Sequence, residues 1–300
     1  MSGKRRPAGR PHPGARLRLS AALALLALLG LLAGCGGGPA ASPAPTAAAA
    51  GDPGLGHVHG LGVDPADGML YAATHTGLFA ITAAGQAERI ADRYQDTMGF
   101  LVVGPGEFLG SGHPDLAEDL PTRLGLIGST DAGRTWHSLS LSGSADLHAL
   151  RLADDRLYAY DAATGRLMST DDRINWTTHA ALPLNDFDID PADARHLLAA
   201  TPAGLQSSTD GGQTFQPVPA APLLRLLAWV DPHLLYGADG NGDLWVSPDG
   251  GATWVWRNRL AGTPDALTAI GADELYLATE SAIYASVDGG GAFTMRYPID

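Results

Sequence analysis

The 300-residue chain has one cysteine, Cys35, which rules out an internal disulfide and a thiolate cluster for a metal. Positive charge is also scarce, with 19 Lys and Arg against 32 Asp and Glu and a net charge of −13. Lys4, Arg5, Arg6, Arg10, Arg16 and Arg18 crowd the first twenty residues, and no acid lies among them. The remainder is therefore still more acidic, and all its cations are arginines. Such a surface excludes nucleic acid, whose binding depends on basic patches that release counterions, and favours a cationic ligand or metal ion. No Gly-rich loop sits between a strand and a helix to cradle a phosphate, and no nucleophile elbow is present.

Long apolar runs are missing too, apart from Ala21 to Leu32. That run is short of the ~20 residues of a membrane span and follows a basic stretch, which is the grammar of an export signal. It ends in Leu32-Ala33-Gly34-Cys35, which resembles the lipobox of bacterial lipoproteins. The resemblance implies a signal peptide over residues 1–34, a lipid on Cys35, and attachment to the cell membrane on its extracytoplasmic side. Residues 35–56 are, after Cys35, almost wholly Gly, Pro, Ala, Ser and Thr with the single charge Asp52, so they read as a flexible tether of about 25 Å average reach.

What the chain has in quantity is a repeat. Ser129-Thr-Asp-Ala-Gly-Arg-Thr-Trp136 returns as Ser208-Thr-Asp-Gly-Gly-Gln-Thr-Phe215 and Ser247-Pro-Asp-Gly-Gly-Ala-Thr-Trp254. Weaker copies are Ser169-Thr-Asp-Asp-Arg-Ile-Asn-Trp176 and Ser286-Val-Asp-Gly-Gly-Gly-Ala-Phe293. Asp131, Asp171, Asp210, Asp249 and Asp288 are spaced by about forty residues, the period of a supersecondary unit. In each copy the carboxylate is placed to accept turn N–H groups, and the glycine supplies a backbone angle that a side chain resists. The frame resembles the Asp-box (BNR) repeat, whose proteins are β-propellers, among them sialidases and sortilin-type receptors. The five aspartates are then structural.

Aligning outward from these turns gives six units of four strands from residue 57 to 300, many with a Leu-Tyr strand such as Leu70-Tyr71, Leu157-Tyr158 and Leu235-Tyr236. The expected fold is an all-β, six-bladed β-propeller. A β-solenoid is the structural alternative, and no exchanged strand is evident to close the ring.

Propeller topology sends the repeated turns to one face and the starts of the innermost strands to the other. At that second mouth, the first three blades should gather His57, His59, His75, His113 and His148, with the thioether of Met98. Imidazoles from separate loops suit a transition metal, and the thioether tilts the choice from zinc toward copper. Asp96, Asp115 and Asp146 are the acids expected to orient the rings. His137 and His179, in outer strands, should face solvent.

These segments also look like secreted bacterial Asp-box propellers of a glycosyl hydrolase-like kind, which implies a glycan-acting protein as an alternative function. The sialidase arginine motif is missing, and Tyr71, Tyr158, Tyr236 and Tyr276 read as blade core. A glycoside hydrolase would need two carboxylates about 5–10 Å apart at a sugar site. Asp96, Asp146, Asp186, Asp265 and Glu280 can approach the mouth, but spacing singles out no pair. A protein-interaction platform is the third reading. The leading expectation is a membrane-anchored binder of a metal ion or small polar ligand.

Overall fold

The computed structural model describes residues 52–299. The expected signal peptide, Cys35 and most of the expected tether lie outside them. No helix among the described residues is long and apolar enough to cross a membrane.

Six four-stranded antiparallel sheets follow one another along the chain, each with its strands in sequence order. Blade one holds β1 (Val58–Val63), β2 (Leu70–Thr74), β3 (Gly77–Ile81) and β4 (Ala87–Arg89). Blade two holds β5 (Asp96–Gly104), β6 (Glu107–His113), β7 (Leu126–Ser129) and β8 (His137–Ser140). Blade three runs over β9 (Leu147–Ala153), β10 (Arg156–Asp161), β11 (Arg166–Thr170) and β12 (Thr177–Ala181). Blade four is β13 (Asp186–Asp190), β14 (Asp193–Thr201), β15 (Gly204–Ser208) and β16 (Gln216–Pro217). Blade five is β17 (Leu224–Asp231), β18 (Leu234–Asp239), β19 (Asp243–Ser247) and β20 (Val255–Arg259). Blade six is β21 (Pro264–Ile270), β22 (Glu274–Thr279), β23 (Ala282–Ser286) and β24 (Thr294–Pro298). The first strands β1, β5, β9, β13, β17 and β21 touch in turn around a central channel, and β21 returns to β1. This is the six-bladed propeller that the repeat predicts.

The second strand of each blade is buried over most of its length, because it lies between two others and under both flanking blades. Its tyrosines reach across as well: Tyr158 donates to the Ala194 carbonyl and Tyr236 to that of Ala272, each in the next blade. They are core, as the sequence suggested.

The ring closes without an exchanged strand. Leu61, Leu70 and Ile81 of blade one pack against Ala266, Tyr276, Ala278 and Ile283 of blade six. Leu55 joins that cluster at 3% exposure, Asp52 pairs with Arg89, and the Gly54 carbonyl accepts the Thr76 hydroxyl at 2.5 Å. Residues 52–56 therefore belong to the propeller and not to a tether. Leu55 is the large apolar group that draws this stretch in.

The repeated turns share one wiring. Ser129 Oγ accepts the Gly133 N–H at 2.9 Å and donates to Asp131, which accepts both the N–H and the hydroxyl of Thr135. The same pattern recurs at Ser208 and Asp210 and at Ser247 and Asp249, while at Ser286 and Asp288 an alanine replaces the threonine. Gly251 shows why the glycine is needed: at φ 93° it lies against Leu198 of the preceding blade with no room for a Cβ.

Blade three departs from the expected register. Asp172, not Asp171, holds the turn, accepting the Ile174 and Asn175 N–H groups and the Asn175 side chain. Without the glycine, Arg173 takes the left-handed angle and the turn slides by one residue. Asp171 instead forms an ion pair with Arg156 at 2.7 Å.

Candidate functional site at the channel mouth

The mouth opposite the repeated turns is built by irregularities at the starts of the innermost strands. In β1, Val58 pairs with Thr74 and Gly60 with Ala73, leaving His59 as the extra residue of a bulge. The same skip leaves out Met98 in β5, His148 in β9, Arg225 in β17 and Asp265 in β21. A bulge re-aims its extra side chain, and here it does so repeatedly at one rim. Gly112, opposite Met98, makes the second bulge possible: its φ is 139°, and a Cβ there would collide with the Asp96 carbonyl.

Three imidazoles come together on blade one. The His59 ring lies 4.8 Å from that of His57 and 4.3 Å from that of His75, and His57 and His75 are 5.5 Å apart. Asp96, from blade two, reaches between them. Its Oδ1 is 3.0 Å from His75 Nδ1 and 3.6 Å from His59 Nε2. One ligand atom from each of His59, His75 and Asp96 can be chosen so that all lie within 4.8 Å of one another. His57 Nδ1 faces Asp265 of blade six at 3.4 Å. Burial holds the Asp265 carboxyl above the usual range, and the neighbouring His57 works against that shift.

His59 is the deepest ring. Its Nε2 is buried without a hydrogen-bond partner, and its side chain is 11% exposed. Burial first, and then the neighbouring imidazoles, push its pKa down to about 3, so the ring is neutral with a free lone pair at ordinary pH.

A second pair lies on Asp146. His148 Nε2 is 3.2 Å from Asp146 Oδ2, and His113 Nε2 is 4.0 Å from Oδ1. His113 Nδ1 bonds the Thr122 carbonyl at 2.6 Å, which fixes the proton on that nitrogen. The structure thus brings His59 and His75 to Asp96, with His57 beside them on Asp265, and His113 and His148 to Asp146. Met98 stands between the two groups by register. Asp115 is not brought to the rings, because its oxygens accept the Ala117 N–H of its own loop and the Tyr94 N–H just before β5. Of the outer histidines, His137 is exposed, whereas His179 is half-buried on Ser169 and Tyr158.

Sequence reading brought Asp186 to the mouth but missed Arg151 and Asp188 inside the channel. Below the mouth, a cavity of about 230 Å³ is lined by Arg151, Asp186 and Asp188, together with His59, His148 and Asp265 of the mouth. Arg151 Nη2 binds Asp186 at 2.7 Å, and its Nε lies 3.5 Å from Asp188. The two carboxylates also accept the Leu227 and Trp229 N–H groups of blade five at 2.9 and 2.8 Å. They thus tie blades three, four and five together. The available signal was the i, i+2 pair of acids in β13, which places both on one side of a strand whose counterparts, apart from Arg151 itself, are small or apolar.

No protein-family profile matches the chain, and no curated protein does. Solved structures share the fold. A putative gluconolactonase superposes with a TM-score of 0.62 at 15% identity, over 82% of this chain and 91% of that one. A GH74 enzyme from Niastella koreensis gives 0.58 at 16% identity over 81% of this chain. This chain covers 45% of that enzyme, so it spans under half the enzyme's length. YCF48 bound to a D1 peptide gives 0.52 at 14% identity, over 81% and 82%. At such identities the likeness establishes the architecture alone: the protein is a six-bladed β-propeller with glycoside hydrolase and gluconolactonase neighbours.

Proposed function

We propose that the protein is an exported propeller of the Asp-box type that binds a transition-metal ion, copper or zinc, through His59, His75 and Asp96. The observation that carries this reading is the buried, unpartnered His59 Nε2 facing the carboxylate that His75 already contacts. Burying an imidazole without a partner is costly, and a bound cation supplies that partner. The neutral state of His59 leaves its lone pair available, and the acid-rich chain draws cations toward it. His57 stands close enough to add a ligand, and Asp265 is placed to orient it. Lipid on Cys35 would hold the protein at the outer side of the membrane.

Elemental analysis of protein purified without a histidine tag, before and after dialysis against copper and zinc, tests the reading. Tight binding that disappears in His59→Ala/His75→Ala is the expected result. Failure of the native protein to take up either metal would remove it. Radiolabelled fatty acid should enter the native chain and not Cys35→Ser.

A further inference from the structure

We infer that the mouth holds a second metal-binding set, Met98, His113 and Asp146 with His148 beside them, which repeats the first set one blade further round and takes copper(I). The inference rests on the same metal-binding reading of this mouth and adds a second ion to it.

Neighbouring blades of a propeller are related by rotation, so residues at one register position stand in equivalent places. Three positions make the mouth. The bulge position holds His59, Met98 and His148 in blades one to three. The position two residues before it holds His57, Asp96 and Asp146. The residue opposite that one, at the end of the second strand, is His75, His113 and Ala162, as shown by the His75–His57, His113–Asp96 and Ala162–Asp146 pairings. The first set takes its bulge and strand-end residues, His59 and His75, from blade one and its acid, Asp96, from blade two. Moving each by one blade gives Met98, His113 and Asp146.

Distances agree with the rotation. Two ligand atoms each about 2.0–2.1 Å from one ion stand roughly 3.3–4.2 Å apart, depending on the angle between them. His59 Nε2 to Asp96 Oδ1 is 3.6 Å in the first set, and His113 Nε2 to Asp146 Oδ1 is 4.0 Å in the second. His148 Nε2, at 3.2 Å from Asp146 Oδ2, stands just below that range. Because the Thr122 carbonyl holds the proton on His113 Nδ1, the lone pair of Nε2 faces the carboxylate, and two acceptors cannot satisfy one another. Asp146 Oδ1 and His148 Nε2 are both buried without a hydrogen-bond partner. Both are polar atoms without a partner, of the kind that mark His59 in the first set.

The sets differ in one ligand. Met98 occupies the place of His59, so a thioether replaces an imidazole. Thioether sulfur favours copper(I) over zinc, whereas the imidazole-rich first set suits zinc and copper in either oxidation state.

Anaerobic titration with copper(I), delivered as its bicinchoninate complex, tests the inference, with zinc titrated in parallel. The native protein should hold two equivalents of copper(I). His113→Ala/Asp146→Asn should hold one, and His59→Ala/His75→Ala should also hold one. Met98→Leu, a near-isosteric change that leaves the fold in place, should weaken one copper(I) equivalent about tenfold or more and leave zinc binding unchanged. A single native equivalent that both double variants abolish would mean one shared site and would overturn the inference. Copper binding indifferent to His113, Asp146 and Met98 would overturn it too, while leaving the His59 site intact. If one equivalent persisted after loss of His59 and His75 and vanished with His113 and Asp146, the second set would stand and the first would fall.

Discussion

At the scale of single residues, the repeated turns separate sequence identity from structural role. Ser247 is fully buried, and its hydroxyl accepts the Gly251 N–H at 2.7 Å. Ser247→Ala should therefore cost about 1–3 kcal/mol in chemical denaturation by leaving that donor unpaired, without changing metal uptake. Blade three offers a sharper comparison. Asp172→Ala should lower the melting temperature more than Asp171→Ala, because Asp172 accepts from four turn donors and Asp171 makes only an exposed ion pair. Equal losses would mean that the turn wiring is not what stabilises this blade. The spacing of the aspartates near forty residues pointed to Asp171, since it counts residues and is blind to a one-residue slide. Only the missing glycine at that copy warned of the change. His57, His59, His75, His113 and His148 were legible as a group because propeller topology alone sends their positions to one rim.

At the scale of strands, the bulges decide what the channel contains. Plain alternation places His57 and His59 on one side of β1 but does not show that His59 is the extra residue of a bulge. Nothing in the local composition marks the skip, which depends on how the partner strand pairs. β13 has no bulge at its start, and it alone sends two acids, Asp186 and Asp188, into the channel to meet Arg151. Burial raises the Asp188 carboxyl from 3.8 to about 6, and Arg151 offsets only part of that shift. Asp188 is still 16% exposed toward the cavity, so channel water moderates the effect. The folded protein then holds a proton there that the unfolded chain releases, and this contribution to stability falls as pH rises from ~4 to ~6 and is level above that. Asp188→Asn keeps the bond to the Trp229 N–H and cannot ionise. The difference in unfolding free energy between native protein and variant should drift with pH in that window and be constant beyond it. A difference independent of pH from 4 to 7 would mean that Asp188 ionises normally.

At the scale of the molecule, the period near forty residues was enough to count six blades, because each unit buries its faces only against its neighbours. How the ring joins was not legible, since packing across the join depends on apolar side chains that look like any others. The join is made by blade one, including Leu55, against blade six, with His57 facing Asp265 across it. Ile283, fully buried in that cluster, should cost about 2–5 kcal/mol when cut back to alanine, measured by denaturant unfolding. The join also dictates an order of events. As the chain is synthesised, the flank of blade one formed by Leu61, Leu70 and Ile81 has no permanent cover until Ala266 to Ile283 have emerged. Until then the nascent protein is an open fan with an apolar edge at each end, the state in which chains of this size are most prone to aggregate or to be captured by a holding chaperone.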